Sequence, residues 1–257
     1  MTPKVDLDRA EAVKSAVRAV QMLEFLADRG GVPARPYEIA AGLNAPRSSA
    51  HALLRTLTAA GWVRADASGN AYTLGLRSLL VGTSFLDADP FVRLARPILS
   101  DLRDELGETV HLARLDRGRV IYLVTQESGR ELRRFSRVGR WLPAHATSLG
   151  KAVLAARQDS PTGPLERLTE HTLTDPAQLA QDLEATRRRG YAIDDQEGTL
   201  GLRCVAVPLA YTDPVEDAIS CSAPTDRMTP EHQERLSQAL LRTARLLEDM
   251  APLQGTI

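Results

Sequence analysis

Arg47, Ser48, Ser49, His51 and Arg55 lie within nine residues of one another and carry short or forked hydrogen-bonding groups. An arginine fork suits the edge of a guanine or a phosphate, and serine and histidine suit base edges or the sugar–phosphate backbone. The chemistry implied is recognition, with no bond made or broken. To act together these side chains need one rigid support. Ala50, Leu53, Leu54 and Leu57 provide it, because their i, i+3, i+4, i+7 spacing makes one apolar stripe on a helix. Ser48, His51, Ala52 and Arg55 then fall on the opposite face, with Arg47 and Ser49 at its N-terminal end.

That helix sits in the stretch from Tyr37 to Val63, read as a short helix, a tight turn, a second helix and the start of a hairpin. Gly42 is expected to supply the left-handed exit from the first helix. Asn44 is expected to cap the second, with Pro46 in its first turn. Trp62–Ala65 and Ala71–Leu74 read as two short strands around Asp66–Asn70, a segment rich in turn formers. A helix pair followed by a small hairpin is a winged helix-turn-helix, whose second helix enters the major groove. Helix periodicity alone is equally compatible with a helical hairpin whose polar face is merely solvated.

Bulk properties neither favour nor exclude DNA. The chain has 257 residues and a net charge of −1. Residues 1–80 hold ten Lys or Arg against seven Asp or Glu, and the rest hold 22 against 26. That mild asymmetry favours nucleic acid on the N-terminal side. Cys204 and Cys221 are the only cysteines, which fits a reducing compartment and no disulfide framework. The five histidines are scattered, and no structural metal or other cofactor is expected. No apolar run approaches the ~20 residues of a membrane span, so a cytoplasmic protein without a membrane partner is expected.

Around the helix pair, Val13–Asp28 reads as an amphipathic helix with Val13, Val17, Val20, Leu23 and Leu26 on its stripe. Residues 1–75 thus form the expected DNA-binding domain, and 76–106 a connector. Asp89-Pro90 starts a helix there, with Pro97 expected to kink or split it. Beyond 107 the period changes. Strands are expected at Thr109–Leu115, Val120–Val124, Leu132–Arg137, Cys204–Leu209 and Ala218–Ser222. Helices are expected at Lys151–Ala156, after Asp175-Pro176, and from Pro230 to Met250. The fold class is therefore α+β, a winged helix-turn-helix followed by an antiparallel sheet with flanking helices over 107–257.

Three stretches carry a family resemblance: Gly107-Glu-Thr-Val-His-Leu112, Leu142-Pro-Ala-His-Ala-Thr-Ser-Leu-Gly-Lys151, and Gly190-Tyr-Ala-Ile-Asp-Asp195 followed by Gly201-Leu-Arg-Cys204. In this order they resemble the IclR-type transcriptional regulators, from Val13 to about Met250. The resemblance implies a C-terminal ligand-sensing domain similar to GAF and PAS folds, and assembly into homodimers or homotetramers. It also implies control of catabolic operons by small metabolites, often carboxylates. It places an effector pocket on Ser148 and Leu149, whose N–H groups at a helix start suit an anion. Asp194, Cys204, Ser220 and Ser222 belong to the same pocket by resemblance, with Leu132 or Arg134 adding a wall. Alternation puts Ser220 and Ser222 on one face of their strand. Two positions depart from the family pattern: Ala52, where Arg is frequent, and Ala223, where the family has Gly.

The expected function is a metabolite-controlled DNA-binding regulator, a repressor acting on a pseudo-palindromic double-stranded operator, and not an enzyme. Two other classes stand beside it. One is a thiol enzyme using Cys204 with His145 and Asp194, although a histidine held by loop backbone explains His145 better. The other is an adaptor that uses the helix pair to dock protein. The basic run Arg187-Arg188-Arg189 is assigned to a helix C-terminus, where the dipole favours it.

Overall fold

The computed structural model describes residues 13–130 and 138–251. The chain divides into two units, residues 1–85 and 86–257.

In the first unit, α1 (Lys14–Asp28), α2 (Pro36–Gly42) and α3 (Arg47–Ala59) precede a hairpin of β1 (Val63–Ala65) and β2 (Tyr72–Leu74). Strand β2 also meets Ala34 through paired backbone hydrogen bonds of 2.9 Å, which ties the α1–α2 connection to the wing. The wing turn is built by Asp66, whose Oδ1 accepts N–H groups from Asn70 (2.8 Å) and Ala71 (3.1 Å). The core of this unit is Met22, Leu26, Ala34, Ile39, Leu54 and Val63.

That core corrects the expected stripe on α1. Val13 and Val20 are exposed, and Met22 and Leu26 are buried. The turn after α2 also differs. Asn44, not Gly42, takes the left-handed conformation, at φ 47°. Asn44 does not cap α3 either: Pro46 occupies that position without a side-chain cap. Gly42 is required for another reason, since a Cβ there would fall 2.3 Å from the Phe25 ring.

Helix α4 (Leu76–Ala88) follows the hairpin, and α5 (Pro90–Leu106) begins after Asp89, whose Oδ1 accepts the N–H groups of Phe91 (2.9 Å) and Val92 (3.1 Å). Pro97 lies inside α5 and does not split it.

The second unit is built on a six-stranded antiparallel sheet. Its strands are β3 (Thr109–Asp116), β4 (Arg119–Gln126), β5 (Trp141–Pro143), β6 (Ala192–Asp195), β7 (Leu202–Leu209) and β8 (Asp217–Pro224), in the order β5-β4-β3-β8-β7-β6. One face packs on α5 and on α8 (Pro230–Met250), burying Val205, Val207, Ile219 and Cys221 with Leu99, Leu236 and Leu240. The other face packs on α6 (Ser148–Arg157) and α7 (Pro176–Arg189), burying Ala206 and Ala218 with Leu149, Val153 and Leu183. The order is helix, sheet, helix, and the period of two along β7 and β8 decides which layer each side chain joins. Two short strands, β5 and β6, were not anticipated. The strand expected at Leu132–Arg137 lies outside the described residues. Among the described residues no helix is long and apolar enough to cross a membrane.

Candidate functional site

On α3 the apolar stripe turns inward as expected: Ala50 and Leu54 are buried, and Leu53 and Leu57 are half-buried. Arg47, Ser48, His51, Ala52 and Arg55 are exposed together. Ser49 departs from this group. It is half-buried, and its Oγ accepts a hydrogen bond from Arg18 Nη1 at 3.2 Å, so it braces α3 against α1. Sequence reasoning missed Tyr37, in the first turn of α2. With Pro36 it lines an open concavity shared with Arg47, Ser48 and His51, and it is 56% exposed. An exposed tyrosine at the start of the helix before a recognition helix was the available signal.

In the second unit the chain makes a tight, largely enclosed pocket between the sheet and the start of α6, with a cavity volume of about 10 Å³. Ser148, Leu149, Asp194, Cys204, Ser220 and Ser222 all line it, from three strands and one helix. Leu132 and Arg134 lie outside the described residues. Tyr122, Leu142, Thr147 and Thr199 also line the pocket and carried no signal of their own in the sequence.

Local structure explains the convergence. Thr147 caps α6, its Oγ1 accepting the Gly150 N–H at 3.0 Å. Among the described residues no acceptor takes the N–H groups of Ser148 or Leu149. A Cβ at Gly150 would lie 2.3 Å from Ala144 Cα, so only glycine lets α6 start this close to the preceding turn. Across the pocket, Asp194 on β6 pairs with Cys204 on β7, and Cys204 pairs with Ser222 on β8. Ser222 Oγ donates to Cys204 Sγ at 3.2 Å.

Asp194 is the charged group of the pocket. It is 5% exposed. Its Oδ1 accepts the N–H groups of Glu197 (2.7 Å) and Gly198 (3.3 Å). Burial, and next the negative charge of Glu197, push its carboxyl up to about 7, against the pull of those N–H groups and of Lys151. Behind it Lys151 is 1% exposed, with Nζ 2.5 Å from Glu197 Oε1 and 2.7 Å from Asp182 Oδ2.

No catalytic triad forms. His145 is buried and its Nε2 donates to the Glu166 carbonyl oxygen at 2.9 Å, while Cys204 Sγ is paired with Ser222. Arg187 and Arg188 pair with Glu184, and Arg189 with Asp182, as helix-end charges do.

Residues 15–67 match the IclR helix-turn-helix domain, and residues 83–248 match the bacterial transcriptional regulator IclR C-terminal domain. The chain belongs to the IclR family of transcriptional regulators. This IclR-family chain is 35% identical to the HTH-type transcriptional regulator BhcR of Paracoccus denitrificans, over 93% of its own length and 88% of the relative's. It is 35% identical to the transcriptional repressor IclR of Escherichia coli, over 91% and 88%. It superposes on an IclR transcriptional regulator from Alicyclobacillus acidocaldarius with a TM-score of 0.79 at 25% identity, over 94% of this chain and 100% of that one. An IclR homologue from Microbacterium hydrocarbonoxydans, crystallised with 4-hydroxybenzoate, shares the fold with a TM-score of 0.72 at 24% identity, over 91% and 98%. These relatives are named as regulators, and the chain is a DNA-binding transcriptional regulator with a C-terminal effector domain rather than an enzyme.

Proposed function

We propose that this regulator is a cytoplasmic repressor of a catabolic operon, released or reset by a small carboxylate in the pocket of the second unit. One observation carries the effector reading. The pocket brings Ser148 and Leu149, whose N–H groups have no acceptor among the described residues, together with Ser220 and Ser222. Amides at a helix start attract an anion, and a space of about 10 Å³ opens most readily for a compact acid. The 4-hydroxybenzoate named for a protein of the same fold is also a carboxylate.

On the DNA side, Arg47, Ser48, His51 and Arg55 read the operator from α3, with Ser49 holding the helix in place. Residues 1–75 then serve as the DNA-binding domain, 76–106 as the connector and 107–257 as the effector domain. Assembly as a homodimer or homotetramer is supported by α4, where Leu76, Leu79, Leu80, Val81 and Phe85 are each more than half exposed. Exposed large apolar side chains clustered on one helix signal a covered surface in the assembled protein. Two copies would read a pseudo-palindrome.

The test is fluorescence anisotropy of the full-length protein on duplexes tiling the DNA beside its own gene. One duplex should bind at least ~10³-fold more tightly than random sequence, and a small carboxylate should change that affinity. Equal binding to all duplexes rejects the DNA reading, and indifference to every carboxylate rejects the effector reading.

A further inference from the structure

We propose that the pocket takes up its carboxylate together with one proton, which Asp194 Oδ2 donates to the bound ligand as a hydrogen bond. This rests on the reading of the pocket as a carboxylate site.

The geometry sets the problem. Asp194 and the open amides of Ser148 and Leu149 line the same enclosed space. Oδ1 of Asp194 is already held by two backbone N–H groups, while Oδ2 has no partner among the described residues. A ligand carboxylate at the start of α6 therefore shares with a second carboxyl a pocket whose cavity, before it opens for the ligand, is about 10 Å³. Two ionised carboxylates in one small site repel, and the arrangement is relieved when they share a proton.

The surrounding charges leave Asp194 as the odd one out. From α6, Lys151 divides its ammonium between Glu197 in the β6–β7 loop and Asp182 on α7. From α7, Arg189 Nη2 approaches Asp182 at 3.6 Å. Cys204 of β7 and Tyr122 of β4 also line the pocket. Among the described residues, two cations thus stand against the three carboxyls of Glu197, Asp182 and Asp194. The carboxyl is also raised to about 7, so the proton is gained or lost near neutrality.

The sign follows. Below about pH 7, Asp194 is already protonated and affinity is independent of pH. Above it, binding must recruit a proton, and affinity falls up to tenfold per pH unit.

The experiment is calorimetric titration of the full-length protein with acetate, propionate, lactate, benzoate and 4-hydroxybenzoate, and with acetamide and benzamide as uncharged counterparts, at pH 6.0, 7.0, 8.0 and 8.5. Two buffers of different ionisation enthalpy report proton exchange in the wild type, with no variant needed. The expected result is no uptake at pH 6.0, close to one proton at pH 8.0, and affinity roughly fifteenfold weaker at pH 8.5 than at pH 7.0. Asp194→Asn, which keeps an oxygen for the Glu197 and Gly198 amides and a donor for the ligand, should bind equally at every pH. An affinity without pH dependence in the wild type overturns the proposal, as does an unchanged slope in Asp194→Asn. If none of the acids binds at pH 6.0, or only acetamide and benzamide do, the carboxylate reading itself has failed.

Discussion

Lys151 and Glu197 form an ion pair of 2.5 Å in which the side chains are 1% and 6% exposed. The pair joins the first turn of α6 to the loop that carries Gly198 and Thr199 to the pocket. Removing the lysine charge strands Glu197 in the interior. Lys151→Met is expected to cost about 3–5 kcal/mol of unfolding free energy. Lys151→Met with Glu197→Gln should recover part of it. Urea unfolding of the three proteins checks this, and a single variant within 1 kcal/mol of wild type would contradict it.

Arg114 does the same work at the other end of the sheet. Its Nε and Nη2 grip both oxygens of Asp217 at 2.7 and 2.8 Å, and Nη1 reaches Asp89 at 2.9 Å. Asp217 is fully buried, and Tyr211 also donates to it. The pairing pushes the Arg114 guanidinium well above its ordinary range, and burial pushes the Tyr211 phenol upward. Because Asp89 also caps α5, this cluster ties β8 to the start of that helix. Arg114→Ala is expected to destabilise by about 3–5 kcal/mol. Arg114→Lys should rescue it only partly, since an ammonium cannot match the fork. Thermal unfolding of both variants decides.

On α3, exposure separates recognition from support. Arg55→Ala should weaken operator binding by about 1–3 kcal/mol if Arg55 pairs with a base, and should relax preference at one position. If it meets a phosphate instead, the loss is uniform across sequences and the salt slope falls by about one. Stability should stay within about 0.5 kcal/mol in either case. Ser49→Ala should loosen the Arg18 contact and leave base preference unchanged. Anisotropy against operator and single-base variants, at two salt concentrations, distinguishes these outcomes.

Asp194 predicts a pH-dependent stability difference. Its folded carboxyl is raised to about 7 from an ordinary 3.8. Stability associated with its protonated form is full below the unfolded value and is lost as pH rises through about 7. Asp194→Asn should therefore gain on wild type between pH 4 and 8, by on the order of 4 kcal/mol. Unfolding free energies at pH 4.5, 6 and 8 test this. A difference that is constant across that range would rule out the raised carboxyl.

Gly42→Ala isolates a packing constraint. The new methyl group would meet the Phe25 ring, and the expected cost is about 1–3 kcal/mol with unchanged effector binding.

What the sequence determined by itself was whatever a short period or a local cap encodes. The Ala50–Leu57 stripe set the orientation of α3, alternation set Ser220 and Ser222 on one face of β8, and Asp89-Pro90 and Asp175-Pro176 marked two helix starts. Val13 and Val20 show where that logic stops. They keep the helical period, yet they are exposed, because burial depends on what packs alongside and not on spacing. Asn44 takes the left-handed turn expected of Gly42, and Gly42 is needed instead for the close approach of Phe25, 17 residues earlier in the chain. The pocket was legible only through family likeness. Asp194 meets Ser148 through strand pairing and helix docking across some 46 residues of chain, and its raised carboxyl arises from burial beside Glu197. Local patterns carry no information about such a meeting, since long-range packing alone sets distance, dielectric and charge.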